Sequence, residues 1–215
     1  MTSPFGNTDC IGFLRKAYNG GERQEGREKL TSAERESLLK NLAESRERLL
    51  HMAQGLSREQ LHHRPAPDRW TVAECVEHIV TVEGRVLGSI QRTVEAGPDS
   101  SKHSVMEGKD DALVADVVGR VTRLQAPEFL APTGRWPDEQ LLKEFEGARQ
   151  QTLDFAASTG ADLRRHFFKH PAFGELDLYQ WLLLIGAHCD RHRAQSEEVM
   201  ASPGFPRGRR APAQA

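Results

Sequence analysis

The chain has 215 residues, of which 38% are hydrophobic and 28% charged, and its formal net charge is −2. This is the length of one domain, or of one domain with extensions, and it is enough to bury a substantial core. The mild acidity argues against a nucleic-acid partner, which needs a clearly basic surface, and the longest apolar run, Trp181 to Ile185, is far too short to span a bilayer. The first ten residues, MTSPFGNTDC, lack the basic start and apolar stretch of a secretory signal. Cys10, Cys75 and Cys189 are widely spaced and form no CxxC, so neither a disulfide framework nor a cysteine-based zinc site is expected. A reducing cytoplasm is the expected setting.

Residues 1–30 are rich in glycine and charge, with one short apolar patch at Ile11 to Leu14, and read as an N-terminal extension. The first strong helix opens at Thr31, with Glu34 placed for a capping box. Leu38, Leu42, Leu49, Ala53 and Leu56 recur at helical spacing, and the helix is expected to run to about Gln54. The prolines of HHRPAPDRW then force a loop. A second helix opens at Thr71, with Glu74 as its reciprocal cap. Its apolar stripe is Cys75, Ile79, Val82, Val86 and Ile90, and it ends before Gly97-Pro98. A long connection covers about 97 to 137, with a short amphipathic helix expected around Ala112 to Leu124. The third helix starts near Pro137-Asp138, where proline suits the first turn. It turns Leu141, Leu142, Phe145, Ala148, Thr152 and Phe155 inward and stops near Gly160. HPAFGELD reads as a turn, and the fourth helix follows from about Asp177 to Ala201. The tail from Ser202, rich in proline, glycine and arginine, is expected to be disordered. No strand-like alternation of any length is visible. The pattern predicts an all-α domain over 31–201, a four-helix bundle with a long crossover between helices two and three.

The stripe on the fourth helix changes character partway along. Trp181 and Ile185 are apolar, and then His188, His192 and Gln195 occupy the same face. Positions 188 and 192 lie one turn apart and about 40° apart around the axis, so their imidazoles can converge. Neutral imidazoles facing a core need partners for their nitrogens, and zinc, nickel, copper and iron all suit imidazole. His78 on the second helix lies about 40° from Val82 and about 60° from Cys75, at the edge of the apolar stripe, and can supply a third ligand. Spacing alone does not separate this reading from three packed, hydrogen-bonded core histidines. The other six, His51, His62, His63, His103, His166 and His170, fall in loops or polar stretches and are expected to be solvated, with His170 in a turn.

Two stretches together resemble the signatures of the DinB-like (DNA-damage-inducible) superfamily. PDRWTVAECVEHIVTVE places Pro67, Trp70 and Thr71 before a helix carrying His78. HPAFGELDLYQWLLLIGAHCDRHRAQ places a glycine-containing turn before an apolar helix and HxxxHxxQ, here His188, His192 and Gln195. The resemblance covers about residues 31–200. It implies a metal-binding four-helix bundle, often dimeric, with a divalent ion, zinc or nickel above all, on His78, His188 and His192. It also implies either a small-molecule substrate, in the manner of low-molecular-weight thiol transferases and an isomerase branch, or a hydrolase reaction. The residue after the first histidine of HxxxH is often acidic in relatives and is Cys189 here.

Cys189 cannot serve as the general base that a glutamate provides in HExxH metalloproteases, and Cys189 and Cys75 read first as small packing residues, with a thiol near the metal as the functional alternative. Gln195, one turn beyond His192, is placed to bond a metal-bound water, a partner side chain or a group across the bundle, and Glu74, one turn before His78, is a candidate to orient that ring, although its place in the cap with Thr71 is the favoured role. Trp70 reads as a core anchor, and Arg191 and Arg193 as solvated or in a subunit contact. A divalent ion with open positions would make the protein an enzyme activating a thiol or water. The alternative is a non-catalytic metal-binding scaffold or stress-response dimer.

Overall fold

Three of the four long helices begin on a side-chain cap, each worth about 1 kcal/mol. The structure is a computed structural model describing residues 30–120 and 126–208. Helix α1 (Ser32–Ala53) starts at the Thr31–Glu34 capping box, and a short α2 (Arg58–Leu61) follows, capped by Ser57 and Gln60. Helix α3 (Val72–Ala96) starts at the Thr71–Glu74 box. Within the long connection lies α4 (Asp110–Gly119), which starts two residues before the Ala112 to Leu124 expectation; residues 121–124 of that expectation fall outside the described residues. Helix α5 (Asp138–Ser158) begins behind Pro137, and α6 (Leu178–Met200) begins at a box formed by Asp177 and Gln180.

The long helices form a ring in which α1 and α3 each pack against both α5 and α6, with α4 laid on the outside of α6. The order of buried residues gives their directions. One apolar cluster takes Leu38 and Leu42 of α1, Ile90 of α3, Ala156 of α5 and residues 178–185 of α6. The other takes Leu49 and Met52 of α1, Val72 to Val80 of α3, Leu141 and Phe145 of α5, and Cys189 and Val199 of α6. Thus α1 and α6 run one way, and α3 and α5 the other. Two helices that run in the same direction cannot be joined by a tight turn, which is why about forty residues separate α3 from α5.

Between the two apolar halves lies a polar layer that the stripes did not reveal. Glu83 and Arg149 are fully buried and paired in a bidentate bridge of 2.8 and 2.9 Å. Thr152 donates to Glu83 at 2.8 Å, and the second arm of Arg149 donates to the Leu42 carbonyl and the Ser45 hydroxyl, both at 2.7 Å. The pair therefore ties α1, α3 and α5 at mid-height.

Two sequence expectations are corrected. HPAFGELD contains the turn, but its GELD half pairs with the residues before it as an antiparallel hairpin, β1 (Phe167–His170) with β2 (Gly174–Asp177), closed at His170 opposite Gly174. Four-residue strands are too short for alternation to show, and Gly174, at φ 76°, gives the turn its left-handed residue. The tail was expected to be disordered from Ser202, yet residues 202–208 pack on the α2 region. Gln60 donates to the Pro206 carbonyl at 3.0 Å, and the His63 ring meets Phe205 edge-on at 5.5 Å. The 1–29 extension, with its Ile11 to Leu14 patch, and residues 209–215 lie outside the described chain. No helix among the described residues is long and apolar enough to cross a membrane.

Candidate metal centre

His78 comes from α3, and His188 and His192 from α6, on the faces where these antiparallel helices meet. One nitrogen of each ring lies within 4.8 Å of the other two. The ring centroids are 5.0 Å apart for His78 and His188, 4.7 Å for His78 and His192, and 4.5 Å for His188 and His192. Among the described residues no carboxylate or thiol joins this group.

Two of the rings are held by their outer nitrogens. His78 Nδ1 donates to the Leu130 carbonyl at 2.9 Å, and because a carbonyl only accepts, the proton is on Nδ1 and Nε2 carries the lone pair. His192 Nδ1 donates to Gln195 Oε1 at 3.0 Å, with the same result. This is the arrangement of metal-ligating histidines, whose far nitrogen donates to a carbonyl or similar acceptor. The Trp70 ring lies 4.8 Å from His78 and is stacked on His192 at 5.8 Å, walling one side. His78 and His192 are buried, while His188 keeps partial solvent contact.

The environment keeps all three rings neutral, which is the form that binds a metal. Burial lowers the His78 pKa, against a smaller opposing effect of the Leu130 carbonyl. Burial, then the neighbouring His78 and Arg191, push His192 down to about 3, against the support of Gln195. Burial, then His192, His78 and Arg191, hold His188 well below the ordinary value. The donor set therefore suits a divalent ion: three neutral imidazoles, with the outer nitrogens of two already committed.

The remaining sequence candidates sort clearly. Gln195 bonds the His192 ring through its side-chain oxygen. Glu74 does not orient His78: its carboxylate closes the Thr71 cap at 2.8 Å and pairs with Arg64 at 2.6 Å. Cys189 and Cys75 are buried, and burial pushes each thiol up to about 12, which makes them packing groups. Arg193 pairs with Asp190 and Glu197 on the surface side. Arg191, expected in solvent or at a subunit contact, is instead half-buried and donates to the Val117 carbonyl at the end of α4 at 3.3 Å. Of the six histidines expected to be solvated, His166 is buried with Nδ1 on the Asp162 carbonyl at 2.7 Å. His170 is half-buried in the hairpin turn, and its Nδ1 accepts from the Ala172 and Phe173 N–H groups. The sequence reading missed the Leu130 carbonyl, which as a backbone group leaves no side-chain signal, and the role of Trp70 against the rings.

A helical bundle with three convergent, neutral imidazoles on two facing helices defines a class of possible metal-binding bundles. The chain belongs to the DinB superfamily, whose sequence profile matches residues 22–196. It is also similar to the uncharacterized protein YuaE of Bacillus subtilis (strain 168), with 27% identity over 146 residues, which is 67% of this chain and 86% of that protein.

Proposed function

We propose that this protein holds a divalent metal ion, zinc or nickel, on His78, His188 and His192, and that it is a metal-dependent enzyme of the thiol-transferase or hydrolase type. The observation that carries this reading is the convergence of three neutral imidazole nitrogens within 4.8 Å with no fourth protein ligand among the described residues. Structural zinc sites are usually closed by four protein ligands, whereas catalytic sites keep a position open. An ion held there supplies the activation, lowering the pKa of a bound water to about 7 and keeping a bound thiol deprotonated. The chain's own residues do the rest. Leu130 and Gln195 fix two ring orientations, Trp70 covers one flank, and His188 is the partly exposed member of the three. The substrate is a small molecule, and the setting is a cytoplasmic homodimer.

One observation favours the second reading, a metal-stapled scaffold. A cleft of about 680 Å³ lies away from the histidines, between the end of α3 and the hairpin, lined by Arg92, Lys102 and Phe168 among others. Cobalt-loaded protein separates the two. A thiolate-to-cobalt charge-transfer band on adding a low-molecular-weight thiol supports the enzyme. A cobalt spectrum unmoved by thiols and by small anions supports the scaffold.

A further inference from the structure

Next to His78 on α3 stands Glu77, a carboxylate only 4% exposed that no salt bridge neutralises among the described residues. All of its partners come from one short strap of the crossover. Oε1 accepts from the Thr133 N–H at 2.7 Å and the Thr133 hydroxyl at 3.3 Å, while Oε2 accepts from the N–H groups of Gly134 at 2.8 Å and Arg135 at 3.3 Å. A buried polar group needs hydrogen-bond partners, and each oxygen of this carboxylate has two. Gly134, at φ 73°, supplies the left-handed residue that lets three successive N–H groups turn toward one carboxylate. The same strap carries Leu130, whose carbonyl holds His78 Nδ1 three residues before the anchored stretch.

We propose that Glu77 is a positioning residue for the metal centre. By clamping residues 133–135 to α3 it holds the Leu130 carbonyl against His78, and so keeps the Nε2 lone pair of His78 aimed at the cluster. The inference rests on the three-histidine metal reading, and it gives the long crossover a role in the site, that of bringing one backbone oxygen to one ligand. A carboxylate is required because it offers acceptors on both sides. In a Glu77→Gln variant either amide orientation sets an NH2 against backbone donors, so at least one side of the clamp opens.

The test uses the full chain and metal ions alone. Wild type, Glu77→Gln and Thr152→Ala are freed of metal and titrated with Zn2+ against a chromogenic chelator, with the Co2+ absorption spectrum and the metal-free melting temperature recorded for each. Thr152→Ala serves as a stability control, because it removes a buried bond to Glu83 in which the strap takes no part. Outer partners of metal-bound histidines typically set affinity by about 10- to 100-fold. Glu77→Gln is therefore expected to bind Zn2+ at least about 10-fold more weakly, with an altered cobalt spectrum, while Thr152→Ala binds like wild type even if it melts lower. Equal affinity and an identical cobalt spectrum for Glu77→Gln overturn the inference. So does an equal loss of affinity in Thr152→Ala, which would make the effect one of general stability. Failure of the wild type itself to bind Zn2+ sinks the metal reading beneath it and is recognised separately.

Discussion

Removing the Glu83 carboxylate should be among the most damaging single changes in the bundle outside the histidines. The side chain is 2% exposed and its partner Arg149 is 0% exposed. In Glu83→Ala the guanidinium stays buried with its arm on Leu42 and Ser45, but loses both bridge bonds and its counter-charge. Breaking a buried pair from one side costs about 3–5 kcal/mol. For a domain of this length that is a fall of roughly 6–20 °C in melting temperature. The Thr152 hydroxyl, once Glu83 no longer accepts its one proton, can turn it to the Ala148 carbonyl at 3.2 Å and adds little to the loss. Urea denaturation followed by circular dichroism reads the loss as a lower midpoint at unchanged slope. Replacing both partners, as Glu83→Leu with Arg149→Leu, removes the uncompensated charge and should recover at least half of it. A Glu83→Ala variant within about 1 kcal/mol of wild type, or a double variant no better than the single one, would refute this description of the polar layer.

Three further outcomes are expected. Gly186 lies where α6 crosses α1 so closely that an added Cβ would sit 2.0 Å from Asn41 Oδ1, a buried oxygen with no hydrogen-bond partner among the described residues. Gly186→Ala should therefore cost about 1–3 kcal/mol in chemical denaturation, and less when combined with Asn41→Ala. Burial opposes the charged form of Glu34, but Arg164 and Thr31 outweigh it and hold the carboxyl at about 2. A depressed folded-state pKa gives stability that is present above the unfolded value of 4.5 and lost as pH falls through about 2. Glu34→Gln should therefore cost about 1 kcal/mol at pH 7, a figure discounted for solvent screening, and its difference from wild type should shrink steadily toward pH 2–3 in urea titrations. Gln195→Ala removes the acceptor of His192 Nδ1, and isothermal titration with Zn2+ should show about 10-fold weaker binding with the fold intact by circular dichroism.

The helical architecture was legible because long amphipathic helices write their period and caps into the chain. Thr31 with Glu34 and Thr71 with Glu74 marked two helix starts to the residue. The three histidines were legible because two lie one turn apart and the third sits at the edge of its helix's apolar stripe. What periodicity could not supply was pairing between distant segments. Glu83 and Arg149 each look like ordinary solvated charges in a helical sequence, and only the meeting of α3 with α5 makes them a buried couple. The hairpin at 167–177 was hidden by its brevity. Glu77 and the Leu130 carbonyl were hidden because the strap that joins them reads only as a proline-containing loop. Glu74 has the right spacing from His78 to support it, yet, as its place in the capping pattern favoured, its carboxylate is taken up by the cap and by Arg64.

The most direct measurement is the metal content of purified wild type beside His188→Ala, determined by elemental analysis after identical preparation. His188 is chosen because no hydrogen bond among the described residues ties its ring to the fold, and because it is the partly exposed member of the cluster, so its loss should spare the bundle. A three-histidine centre predicts close to one zinc or nickel per wild-type chain and a small fraction of that in the variant, with matching circular dichroism. Equal metal in the two proteins, or none in wild type after reconstitution with either ion, would contradict it.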